Sequence, residues 1–267
     1  MRATLIVARK EFLDCFRSRW LVSGSLIFAI LSLAVFFGTA AIGGTLSFQP
    51  LATVINSLLS LTVFVLPLLV LMLGYDAFVG EAESGTLLLM LTYPLTRTEW
   101  LLGKACGQAA SLACVLVLGF AALPIVQLFL AVPYSMGELM EALVKLAATG
   151  WLLALVFLFL SYWVSLIVRH KAQALAALLV LWFVMVLLYD LALLVVSVAA
   201  ADVFGRETLT LMMLANPASV FRLMNQMAGA GDAALVRPDM ALMTGILIAW
   251  IVVLFGLCRW VLVRRRL

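Results

Sequence analysis

The chain has 267 residues, 66% of them hydrophobic and 11% charged, with a formal net charge of +4. Soluble domains carry about 25% charged residues, so this composition excludes one and specifies an integral membrane protein. The positive balance reflects orientation in a membrane rather than nucleic-acid binding.

Residues 2–19 come first. At 100° per residue Leu5, Ala8, Phe12, Cys15 and Phe16 fall on one side, with Lys10, Glu11, Asp14, Arg17 and Ser18 opposite; Arg9 sits at the margin and Val7 is misplaced. This predicts an interfacial amphipathic helix on the inner leaflet, in contact with membrane lipid. A spanning helix needs about 20 largely apolar residues. Six runs qualify: Leu21–Ile42, Leu51–Tyr75, Ala105–Val132, Leu143–Val168, Ala172–Ala199 and Ala241–Val263. Runs of this length satisfy their backbone groups as helices rather than barrel strands. The fold class is therefore all-α, one six-helix transmembrane domain over residues 1–267.

Lys and Arg are retained on the cytoplasmic side. With both termini inside, the inner segments hold Arg2, Arg9, Lys10, Arg17, Arg19, Arg97, Lys104, Arg169, Lys171, Arg259 and Arg264 to Arg266, against Lys145, Arg206, Arg222 and Arg237 outside. The expected orientation is termini-in. Cys15, Cys106, Cys114 and Cys258 then avoid the outer compartment and form no CxxC pair, so structural disulfides are not expected.

Between the second and third spans lies EAESGTLLLMLTYPLTRTEWLLGK, residues 81–104, cytoplasmic on this topology. Ser84-Gly85-Thr86 offers a helix start, an apolar turn or two follows, and Pro94 ends it. Thr96-Arg97-Thr98-Glu99 is a capping box that starts the next helix. The short helix before it is too apolar to lie free in water, so it requires a partner surface. Gly103, Gly107 and Ser111 form a small-residue stripe that permits close helix contact, and Pro124 is expected to kink the third span. Residues 200–240 form a long outer connection in which Asn216-Pro217 separates two short helices.

Glu81, Ser84, Gly85, Thr86, Leu87, Pro94, Arg97, Leu101, Leu102, Gly103 and Lys104 together resemble the signature of permease subunits in type-two ABC exporters. The likeness extends over the chain, including Arg9-Lys10-Glu11 in the first helix and Asn216-Pro217 in the outer connection. It implies a coupling helix that docks into a cytoplasmic ABC ATPase dimer, carried by Glu81, Glu83, Ser84, Gly85, Thr86, Leu87, Leu88, Leu89, Met90, Pro94 and Arg97. ATP and Mg would be bound by that partner, with no cofactor in this chain, and two copies of the permease would pair. Within the family, overall length, the 81–104 segment and ANPASVFRLM are most similar to the permeases that serve nitrous oxide reductase maturation. That likeness implies a sulfur- or copper-related cargo, the bacterial inner membrane and a periplasmic copper-binding accessory protein.

The residues themselves agree that the chain is no ATPase: Gly103-Lys104 lacks the remainder of a phosphate loop. A carboxylate inside a span, Asp190, lines a path or makes a structural contact to Tyr189 or a neighbouring helix; Asn56 and Gln127 are further path candidates. Met212, Met213, Met224 and Met227 offer thioethers suited to Cu(I) or to a periplasmic partner, though packing is the simpler reading. His170 belongs to a topogenic RHK cluster. Two other classes remain open: a scaffold that moves nothing and transmits ATPase motion outward, and a proton-coupled carrier using Asp190.

Overall fold

A computed structural model describes residues 2–41, 49–85, 96–130, 132, 134–199, 206–227 and 238–264. Among these no strand occurs, and six helical segments are long and apolar enough to cross a membrane. Helix α1 (Arg2–Arg17) precedes the first span, α2 (Trp20–Ala41). The second is α3 (Leu51–Gly74), which continues after a turn into the short α4 (Val79–Glu83). The third and fourth are α5 (Arg97–Gln127) and α6 (Met136–Ile167). The fifth comprises α7 (Lys171–Phe183), a π-helical turn (Val184–Leu188) and α8 (Tyr189–Ala199). Two short helices follow, α9 (Arg206–Ala215) and α10 (Pro217–Asn225), and α11 (Met240–Arg264) is the sixth span.

Apolar burial against water does not drive helices together in lipid; close packing and interhelical hydrogen bonds do. Both are visible here. The stripe on α5 receives α1 so closely that a Cβ on Gly103 would lie 2.6 Å from Val7 Cβ, and one on Gly107 2.4 Å from the Ala8 carbonyl oxygen. Further along α5, Gly119 seats Phe28 of α2, whose ring meets Phe120 edge-on at 5.1 Å. The Trp151 indole of α6 donates to the Ala109 carbonyl at 2.9 Å, and Trp182 of α7 to that of Phe64 at 3.2 Å. Helix α6 is the most buried span and forms the axis; the fifth span has few fully buried residues and lies at the periphery of the bundle.

Local signals set the ends of the long helices. The predicted box at the start of α5 is formed, with the Glu99 amide donating to Thr96 Oγ1 at 3.2 Å and the Thr96 amide to Glu99 Oε2 at 3.1 Å. A second box, Ser135 with Glu138, starts α6 at Met136, well before the expected Leu143. Met136 and Met140 lie in the first two turns of this helix. Helix α5 passes through Pro124 and ends at Gln127, short of the expected Val132.

Two features near the basic end add to the expectations. Ser84-Gly85 ends α4: Ser84 Oγ donates to the Gly80 carbonyl at 2.8 Å and Gly85 takes φ +70, a left-handed stop that suits glycine, while the helix expected after Thr86 lies outside the described residues. On α1, the side that packs on α5 carries Val7, Ala8, Glu11 and Cys15, while Leu5, Ile6, Leu13 and Phe16 are exposed. Glu11, assigned by the helical wheel to the polar side, is buried because its partner is a buried lysine.

Candidate functional site

Most of the polar chemistry gathers at the two ends of the bundle. At the end bearing α1, α4 and the start of α5, Lys104 is 3% exposed and sits between two carboxylates. Its Nζ lies 3.1 Å from Glu11 Oε1 and 2.8 Å from Glu81 Oε1, with the rings of Phe78 and Trp100 at 5.7 and 5.8 Å. A second layer follows: Gln108 Nε2 donates to Glu11 Oε2 at 3.4 Å, and the Tyr162 hydroxyl donates to Gln108 Oε1 at 2.8 Å. Burial alone would raise the Glu11 carboxyl, but Lys104 and Lys10 outweigh it and hold the group below its ordinary value of 4.5. Burial pushes the neighbouring Cys15 thiol up from 9.0, away from reactivity.

Helix α4 is fastened on every side. Ser165 Oγ of α6 accepts the amides of Phe78 and Val79 at 3.1 and 3.0 Å, which fixes the turn that breaks the second span. Glu83 accepts the Lys171 amide at 3.0 Å, stabilising the positive start of α7, and lies 3.4 Å from His170 Nδ1. Lys171 Nζ meets Asp76 at 3.0 Å. Arg97, at the start of α5, donates to the carbonyls of Leu262 and Val263 at 2.6 and 3.0 Å and so caps the last turn of α11.

Within the chain, Glu81, Glu83 and Arg97 of the 81–104 segment each engage an opposite charge or an uncapped helix end. Ser84 and Gly85 terminate α4. Thr86, Leu87, Leu88, Leu89, Met90 and Pro94 lie outside the described residues.

At the opposite end, Asp190 of α8 pairs with Arg222 Nη1 of α10 and accepts from Ser219 Oγ at 3.2 Å. The neighbouring Tyr189 donates instead to the Met212 carbonyl. Asp190 and Arg222 line a cavity of about 840 Å³ between α8, α9 and α10, with mostly leucine walls and Ser197, Glu207, Thr210 and Gln226 as polar points. Arg222 and Gln226 also line a cavity of about 400 Å³ that contains Asn56. Asn56 holds the backbone of Met227 through two hydrogen bonds, 3.0 and 3.3 Å. Gln127 is elsewhere, donating to the Tyr134 carbonyl at 2.9 Å to close the end of α5. The structure thus brings Asn56 beside Asp190 through Arg222, and leaves Gln127 apart.

The four methionines occupy different settings. Met224 is buried in the core, Met213 lines the larger cavity, and Met212 and Met227 take part through their backbones. Among the described residues no group of three or more His, Cys, Asp or Glu is placed to hold a metal. Sequence reasoning passed over Arg222, Glu11 and Tyr162 as site residues.

The described residues thus form a helical bundle with six candidate membrane spans, a helix packed ahead of the first and a polar element after the second, the architecture of an integral membrane protein. The chain belongs to the ABC-2 transporter family: the family described as ABC-2 family transporter protein matches residues 5–267. It is similar to the probable ABC transporter permease protein NosY of Stutzerimonas stutzeri, 40% identical over 229 residues, which is 85% of this chain and 83% of the relative. The protein of the same name from Pseudomonas aeruginosa is 39% identical over 238 residues, 88% and 86% of the two chains. Membership implies an ATPase partner and a permease that works in pairs.

Proposed function

We propose that this permease sits in the bacterial inner membrane with both termini cytoplasmic, pairs with a second copy, and is driven by a separate ATPase dimer that binds ATP and Mg. In this reading residues 86–95 dock in the ATPase, and the complex supports copper-centre assembly of nitrous oxide reductase by moving a sulfur- or copper-related species, with a periplasmic copper-binding protein as outer partner. The likeness to the NosY permeases supports the biological setting. The orientation rests on the excess of Lys and Arg at the end bearing α1, α4 and α7.

The observation that carries the coupling role is the anchoring of the chain on both sides of residues 86–95. Before them, α4 is held through Glu81, Glu83 and Ser165; after them, α5 is fixed by the Thr96–Glu99 box and Arg97. A force applied to the apolar segment between two such anchors reaches the bundle with little slack. Each well-buried Leu anchor contributes about 1.5 to 3 kcal/mol in an aqueous groove, so losing two weakens docking by on the order of a hundredfold or more. Changing Leu88 and Leu89 together to Ser is expected to leave the spans inserted and to abolish co-purification of the ATPase. Wild-type yield of the ATPase, with normal stimulation of its turnover, would refute the coupling assignment.

The scaffold reading has its own support in α6, one continuous helix that holds α4 through Ser165 and α10 through Thr149, whose hydroxyl receives Asn225 Nδ2 at 2.8 Å. Loading of copper and sulfur species into sealed vesicles separates the two: ATP-dependent accumulation requires transport, and its absence with retained maturation requires the scaffold.

A further inference from the structure

Lys104 belongs to α5, yet its two carboxylate partners come from elements on either side of it, Glu11 from α1 and Glu81 from α4. Ser84 and Gly85 follow Glu81 closely, and the apolar segment begins directly after them. The ammonium is enclosed by Phe78 and Trp100 and almost entirely shielded from solvent. A shielded cation cannot replace a departing carboxylate with water, and a buried pair stripped of one member is strongly unfavourable. Movement of α4 by even an ångström therefore redistributes Lys104 between Glu81 and Glu11.

The Glu11 side is equally constrained. The Glu11 carboxylate is the point where α1 meets both Lys104 and Gln108, and Gln108 is itself fixed by the buried Tyr162 of α6. Elsewhere α1 rests on α5 at Gly103 and Gly107, so closely that an added Cβ would meet Val7 and the Ala8 backbone, while the glycines themselves present no side chain to hold its register. The register of α1 on α5 is thus tied to the state of one ammonium.

We infer that Lys104 is a positioning residue through which displacement of the coupling segment shifts α1 on α5. The inference rests on the coupling role proposed above for residues 86–95. It makes Glu11, 70 positions ahead of Glu81 in the sequence, part of the same transmission device, and it gives the exposed apolar side of α1, with Leu5, Ile6, Leu13 and Phe16, a moving seat in the lipid.

Lys104→Met would leave two carboxylates without their shared cation, so the informative variants are Glu81→Gln and Glu11→Gln, each of which leaves Lys104 one acid. The measurement is hydrogen exchange of α1 amides in the complete permease–ATPase complex in lipid nanodiscs, with and without a non-hydrolysable ATP analogue. In the wild type, nucleotide is expected to change α1 exchange. In both variants that change is expected to be lost in complexes that still contain the ATPase, an outcome that a static structural tie would not give. A wild-type complex without a nucleotide-dependent change in α1, or a Glu81→Gln complex that keeps the full change, overturns the inference alone. If Glu81→Gln lowers abundance, the Glu11→Gln result decides by the same criterion. Retention of the ATPase by the Leu88/Leu89 double variant overturns the coupling reading and this inference with it.

Discussion

Gly107→Ala tests the seat of α1. The added Cβ would stand 2.4 Å from the Ala8 carbonyl oxygen, 2.7 Å from Glu11 Cβ and 3.1 Å from the Phe12 amide nitrogen. Carbon–oxygen contacts settle near 3.3 Å or beyond, so α1 must retreat by roughly 1 Å. Such a retreat lengthens the 3.1 Å contact of Glu11 with Lys104 to about 4 Å, outside hydrogen-bonding reach. Overpacking of this kind costs about 1–3 kcal/mol, and weakening a buried charged hydrogen bond adds to it. The intrinsic helix preference of Ala over Gly returns at most about 1 kcal/mol, so destabilisation wins by about 1–3 kcal/mol. Gly245 on α11 is the control, since a Cβ there meets nothing within 4 Å, and Gly245→Ala is expected to be neutral or to stabilise by up to about 1 kcal/mol. Thermal unfolding of the two variants in one detergent makes the comparison. If Gly107→Ala unfolds at or above the temperature of Gly245→Ala, the close approach of α1 to α5 is not as described.

Asp190→Asn leaves Arg222 without its counter-charge at a half-buried site, so a loss of roughly 1–3 kcal/mol is expected, between the values for exposed and buried pairs. Adding Arg222→Gln should recover part of it; strictly additive losses in membrane abundance and thermal stability would remove the pair as a stabilising contact. Glu11 predicts an acid-sensitive stability. Its folded-state carboxyl lies below the ordinary 4.5, so its contribution is fully present above that pH and is lost as pH falls through the depressed value. Glu11→Gln should flatten that acid limb of the unfolding profile, and an unchanged limb would count against the buried pairing with Lys104.

What the sequence made legible was local or compositional. The six spans follow from run length, the Thr96–Glu99 box from a four-residue motif, and the break at Asn216-Pro217 from proline stereochemistry and an asparagine cap, which accepts the Ala218 amide at 3.1 Å. The Gly103–Gly107–Ser111 stripe announced a close contact but not its partner. What stayed hidden depends on pairs far apart in sequence. A helical wheel places Glu11 with the polar residues because it knows nothing of Lys104, and it leaves Val7 as a misfit. That misfit was the available clue, since Val7 and Glu11 share the side that meets α5. Serine drew attention as a helix start and hid the stop that Ser84 and the left-handed Gly85 also make for α4. Asp190 was legible as a costly acid, but its choice of Arg222 over Tyr189 rests on how α10 folds back beside the fifth span.

Helix α6 has a mechanical consequence. Its 32 residues extend about 48 Å, well beyond the hydrocarbon thickness of about 30 Å. Ser165, which grips α4, and Thr149, which grips α10, are separated by about 24 Å along its axis. A rod pivoting by about 10° around the point midway between these two grips displaces each grip by about 2 Å, by the rise per residue alone. That is enough to break or make a hydrogen bond at either grip. The two ends of this protein can therefore exchange work as the arms of a lever, without any chain of polar groups crossing the lipid between them.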